Sequence, residues 1–130
     1  MPVLTLEGVL VGKVVQVGTS NARVALVGDS ACPVSAVVEE GPARDFGVIA
    51  SSSGNVLDSS VVELTYVNRL TASKPGHAVV TSGLGQVFPP GIPIGHIVDT
   101  NSVGFGLYSE ARVKLGANLD TLDQVWVVLP

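Results

Sequence analysis

The sequence predicts an all-β fold, and three observations carry that prediction. Valine supplies 25 of the 130 residues, beside 15 glycines and 8 prolines. β-Branched side chains suit pleated strands, and glycine and proline punctuate them. Residues 61–67 (VVELTYV) alternate without a break, with Val62, Leu64 and Tyr66 on one face and Glu63 and Thr65 on the other, as a half-buried antiparallel strand does. No apolar period of 3.6 residues persists over ten positions, so helix is confined to one turn at residues 118–122, with Asn118 or Asp120 as its cap.

The elements follow in order. Residues 9–17 (VLVGKVVQV) form the first strand, with Gly12 placed for a bend or bulge. The turn at 18–21 (GTSN) leads to a return strand at 22–27 (ARVALV), which Gly28, Asp29 and Ser30 end. A short strand at 34–38 precedes the polar turn 39–45, and strands at 47–50 and 55–57 flank a serine-rich loop at 51–54. After the alternating strand 61–67, Lys74-Pro75-Gly76 is a tight turn, because proline presets φ and glycine supplies a positive one. Residues 78–81 are extended, and 82–95 (SGLGQVFPPGIPIG) are too broken for helix. Strands at 94–98, 110–115 and 124–129 complete the chain. The patterns Val11-Gly12-Lys13-Val14-Val15 and Ile94-Gly95-His96-Ile97-Val98 echo each other, which predicts two small barrels or two corners of one.

Composition limits the function. Only 14% of residues are charged, the net charge is −4, and the seven Lys/Arg are scattered, which argues against nucleic acid and anionic membrane surfaces as partners. Cys32 is alone, so neither an internal disulfide nor a Cys-rich zinc site can form. No apolar run approaches a membrane span.

Several chemical constellations merit weighing. A serine hydrolase would draw on Ser30 or Ser82, each on a glycine-flanked turn, with His77, His96, Asp58 and Asp99 as base and orienter. Ordinary turn chemistry accounts for both serines, and Ser30 lacks following glycines that would make an oxyanion nest. Cys32 enters an apolar strand and reads as a small buried hydrophobe. His77 and His96 are nineteen residues apart without a ligand-spaced partner, and Gly104-x-Gly106 is too short for a phosphate loop. A polysaccharide- or peptidoglycan-binding module would stack sugars on exposed aromatics, of which only Trp126, Tyr66, Tyr108, Phe46, Phe88 and Phe105 are available, several on core-like strands. The residues thus argue for a non-enzymatic protein, without cofactor or metal.

Residues 74–98 (KPGHAVVTSGLGQVFPPGIPIGHIV) closely resemble the signature segment of the MreC family of bacterial rod shape-determining proteins. The match runs through Gly76, Val79, Val80, Thr81, Ser82, Gly83, Leu84, Gly85, Phe88, Pro89, Pro90, Gly91, Pro93 and Gly95. It departs at His77, where the family usually has Asp, and at Gln86, where a second glycine is common. Residues 6–15, 22–29 and 111–128 are similar to further family strands, so the resemblance covers nearly the whole chain.

That resemblance implies a periplasmic pair of small antiparallel β-barrels, the first formed by residues 1–31 plus 98–130 and lacking its leading strand, the second by 32–97. It also implies a membrane helix and coiled coil, which these residues do not contain. The implied role is a cell-shape scaffold of the elongation complex at the periplasmic face of the cytoplasmic membrane. The implied partners are a class B penicillin-binding transpeptidase, MreD, the SEDS glycosyltransferase, MreB (through segments this sequence lacks) and further copies of itself. The stretch from Thr81 to Gly91 is the expected contact segment.

Overall fold

A computed structural model describes residues 1–40, 43–52, 60–66, 74–85, 87–103, 108–119 and 121–129. Of the expectations above, the strand at 55–57, Asp58, Gln86, Phe105, the Gly104–Gly106 pair and the cap Asp120 lie outside these residues. The strands are β1 (Pro2–Leu4), β2 (Leu10–Val17), β3 (Ala22–Leu26), β4 (Val34–Glu40), β5 (Ala43–Ser52), β6 (Val61–Tyr66), β7 (Ala78–Thr81), β8 (Pro93–Val103), β9 (Tyr108–Leu115) and β10 (Trp126–Val127).

β4, β5, β6, β9, β8 and β7 close into a six-stranded barrel, and β10, β1, β2 and β3 form a second, four-stranded sheet. All pairings are antiparallel. Closure leaves the barrel without an edge. Its core is branched aliphatic: Val34, Ala36, Val38, Ile49, Val62, Leu64, Val79, Ile94, Ile97, Val113 and Leu115 are buried, and Leu10, Ala25 and Val27 of the neighbouring sheet and turn pack on the same cluster. Within β6, Val62 and Leu64 are buried, Glu63 is half-buried and Thr65 is exposed, as the alternation read there predicts; Val67 lies outside the described residues.

Strand pairing corrects the expected division at residue 98. β8 and β9 both belong to the closed barrel, and only β10 returns to the first sheet. The reason lies in β9, where Ala111, Val113 and Leu115 alternate into the barrel core opposite β6 and β8. The single turn expected at 118–122 reduces to one long Thr121 N–H to Asn118 O contact of 3.4 Å, without helix among the described residues. β10 is much shorter than the strand expected at 124–129, and residues 125–129 are all exposed.

The glycine echo marks one hairpin in each sheet, and the likeness extends well beyond it. β1–β2–β3 and β7–β8–β9 share a register: Val3 and Val79 oppose Gly12 and Gly95, Pro2 and Ala78 oppose Lys13 and His96, and Leu26 and Leu115 oppose the same glycines from the other side. Pairing skips Val11 and Ile94 before each glycine, and Val15 and Val98 after it. A Cβ on Gly12 would lie 2.0 Å from the Ala25 carbonyl oxygen, and one on Gly95 would lie 1.9 Å from that of Lys114. Both bends therefore need a bare backbone. The first strands end alike too. Thr5 N–H donates to Val9 O (2.8 Å) and Gly8 N–H to Thr5 O (2.9 Å), while Thr81 N–H donates to Ile92 O and Gly91 N–H to Thr81 O (both 2.9 Å). Gly8 and Gly91 have φ of 90° and 87°. One clasp thus closes a short loop at 6–8 and a long one at 82–91.

Candidate functional site

The long loop is the part of the barrel that the repeat elaborates. Thr81 is buried and holds it from both sides: its Oγ1 donates to the Pro89 carbonyl (2.6 Å) and accepts from Ile92 N–H (2.9 Å). Ser82 N–H donates to Ser35 O (2.9 Å), tying the outgoing chain to β4, and Ser82 Oγ accepts from Leu84 N–H (3.2 Å). Phe88 turns inward and is buried in the barrel core. Gly83 has φ +81°, and a Cβ there would meet the Pro90 ring at 3.0 Å, so that glycine serves both the turn and the packing. The loop is thereby fixed at its base, at its middle and through its aromatic anchor.

Leu84 and Val87 remain in solvent, 60% and 47% exposed. Val87 and Pro89 also form one wall of an open apolar hollow of about 280 Å3, completed by Met1, Pro2, Val128 and Leu129 from the ends of the chain. Of the expected contact segment, Thr81 and Phe88 are internal fixings, the glycines set the backbone, and Leu84, Pro89 and Pro90 face outward. Val87 was not singled out from sequence, although an apolar residue beside an inward-turned Phe88 is placed to face outward.

Ser30 and His96 are exposed, and the other described residues of the hydrolase reading make framework contacts. Asp29 Oδ1 accepts from Ala31 N–H (2.9 Å) across a turn, and Ser82 Oγ closes the turn to Leu84. Asp99 forms a forked ion pair with Arg112 of the neighbouring strand, which holds its carboxyl below the usual carboxylate range and raises the guanidinium. His77 Nδ1 accepts from Lys74 N–H (3.0 Å), which closes this turn. Cys32 is fully buried, and burial pushes its thiol pKa up, as fits a packing residue. Among the described residues no group of three His, Cys, Asp or Glu side chains is arranged to hold a metal ion. Trp126 is 60% exposed on β10.

Residues 1–129 match the family model described as rod shape-determining protein MreC, barrel core. The chain belongs to the MreC family. The cell shape-determining protein MreC of Listeria monocytogenes is 38% identical over 130 residues, covering 98% of this chain and 42% of the relative. The chain thus spans less than half the length of that MreC. The solved MreC structure from Listeria monocytogenes superposes with a TM-score of 0.82 at 37% identity, over 96% of this chain and 58% of that one. An MreC from Helicobacter pylori, solved in a complex with the penicillin-binding protein PBP2, shares the fold, with a TM-score of 0.70 at 18% identity over 92% of this chain and 69% of that one. The relatives that this chain matches are described as cell shape-determining proteins. No helix among the described residues is long and apolar enough to cross a membrane.

Proposed function

We propose that this chain is the partner-binding part of a non-enzymatic cell-shape scaffold, working in the periplasm, and that it binds a class B penicillin-binding transpeptidase and favours its active form. The observation that carries the reading is the clasped loop: a rigid backbone that presents Leu84 and Val87 beside an apolar hollow, in a member of a family of which one relative was solved with PBP2. Apolar side chains held out by a fixed backbone lose little conformational freedom on docking, which is how a small surface reaches useful affinity. The same scaffold role carries the wider set of partners, MreD, MreB, the SEDS glycosyltransferase and further copies of the chain.

Calorimetric titration with the extracytoplasmic region of the transpeptidase from the same organism tests the reading. Binding at micromolar strength or better is expected, with a negative heat-capacity change from apolar burial. Absence of binding by a chain that melts cooperatively would refute it.

A further inference from the structure

The internal repeat shows where the first sheet departs from the barrel. In the barrel, β4 runs beside β7 through Val38–Val79, Val37–Val80 and Ala36–Thr81, and Ser82 N–H then donates to Ser35 O (2.9 Å). In the first sheet β10 takes the place of β4, with Val127 opposite Val3 and Trp126 opposite Leu4. The same register would set Val125 opposite Thr5 and Gln124 opposite Leu6. Neither pairing forms. The ladder ends at Leu4–Trp126, and no bond from Leu6 N–H to Gln124 O matches the one from Ser82 to Ser35. Connection lengths explain the split. The barrel has a long loop at 82–91 and a short crossover at 27–33, whereas the first sheet has a short loop at 6–8 and a longer crossover at 116–125. The two segments part around an open groove of about 600 Å3, with Leu6 and Glu7 on one wall and Thr121, Asp123 and Gln124 on the other. Paired strands bound both segments, β1 and β2 the first, β9 and β10 the second.

The chemistry of the walls is one-sided. Leu6 N–H and Gln124 O are a main-chain donor and acceptor without another partner among the described residues. Such a pair is what holds an extended chain. Glu7 and Asp123 are both exposed, and neither has a hydrogen bond or ion pair among the described residues. No Lys, Arg or His lines the groove, while Leu6, 54% exposed, offers an apolar contact. We propose that this groove docks an extended, basic segment of a partner protein. The segment bonds through its main chain to Leu6 N–H and Gln124 O, and sets a lysine or arginine side chain between Glu7 and Asp123. It thereby supplies the contact that Ser82 and Ser35 make with each other in the barrel. The groove shares no lining residue with the hollow beside the 82–91 loop, so the two surfaces are tested separately.

The test is an amide NMR titration of this chain with the blocked peptide acetyl-Val-Thr-Lys-Thr-Val-amide, beside the same peptide with norleucine for lysine. Saturable shifts at residues 5–7 and 121–124 are expected with the lysine peptide, at submillimolar strength. Glu7→Gln combined with Asp123→Asn should weaken that peptide about five-fold and leave the norleucine peptide unchanged. The melt should not move, because both side chains are exposed. N-methylation of the peptide main chain should also weaken binding, which a purely electrostatic contact would not show. No saturable shift up to about 1 mM peptide, equal binding of the two peptides, or shifts away from the groove overturns the proposal. Spermidine binding as well as the lysine peptide would mark a simple cation site and overturn the docked segment. Groove protection without peptide would also overturn it, assigning the groove to a second copy if protection rises with protein concentration and to the same polypeptide if it appears only in an N-terminally extended form.

Discussion

Replacing Thr81 with valine keeps the shape of the side chain and removes only the hydroxyl that clasps the 82–91 loop. Two hydrogen bonds disappear, one donated to Pro89 O and one accepted from Ile92 N–H. Pro89 is exposed, so its carbonyl regains water and costs about 1 kcal/mol; the half-buried Ile92 N–H costs about 1–2 kcal/mol, for a total of about 2–3 kcal/mol. With an unfolding entropy near 2.1 cal/mol/K per residue, that corresponds to a fall in Tm of about 7–11 °C. Thr5→Val is the internal control. Thr5 occupies the same place in the repeat, and its hydroxyl accepts one bond, from Val9 N–H at 3.1 Å. It should cost about 1 kcal/mol, or about 4 °C. Thermal and urea melts of the two variants, followed by Trp126 fluorescence, give the comparison, and amide exchange should accelerate in the 82–91 loop of Thr81→Val alone. Equal losses at the two positions, or a Thr81→Val loss within about 0.5 kcal/mol of zero, would refute the claim that this hydroxyl holds the loop.

Three further outcomes follow from the structure. Gly12→Ala and Gly95→Ala each press a methyl against a strand carbonyl and should each cost about 3 kcal/mol or more in urea melts; tolerance at either position would show that the bend does not need a bare backbone there. The Asp99 carboxyl is held below its ordinary range, so its ion pair contributes at neutral pH and its contribution is lost as pH falls below that of a free aspartate. Because both groups are largely exposed, Asp99→Asn should cost no more than about 1 kcal/mol at pH 7, and the difference from the parent should vanish in acid melts. Cys32 should react with thiol reagents only as fast as the barrel opens, since the thiol is buried and its ionisation suppressed; rapid labelling of the native chain would contradict that placement.

Much of the fold was legible because local pattern and burial agree along most strands. β2, β3, β6 and β7 lie within a residue of the spans that composition and alternation predict. β8 runs longer than predicted because Asp99, Thr100 and Asn101 break the apolar run, yet they pair across to Arg112, Ala111 and Glu110. β1 is three residues long and carries no periodicity of its own, while residues 124–129 read as one strand because 125–129 are apolar, although only Trp126 and Val127 pair. The strand partners of β9 were illegible, since pairing with β6 joins segments some fifty positions apart. The repeat was half visible. Its glycine motif and the strings ARVAL and ARVKL stand in the sequence, but the spacing between copies drifts as loop lengths differ, so the kinship of Thr5 and Thr81 emerges only from their hydrogen bonds. In the candidate site the signature loop was legible as a motif. The division between internal fixings and outward residues was not, because it depends on bonds reaching 8 and 11 residues along the chain.

The scaffold account stands or falls most directly on one titration: the transpeptidase's extracytoplasmic region against the parent chain and against a Leu84→Glu, Val87→Glu variant, each verified by a cooperative melt. The account predicts micromolar or tighter binding by the parent, weakened at least about ten-fold when both exposed apolar side chains carry charge. Binding unchanged by the double variant would remove the loop from the interface, and binding by neither protein would contradict the scaffold role itself.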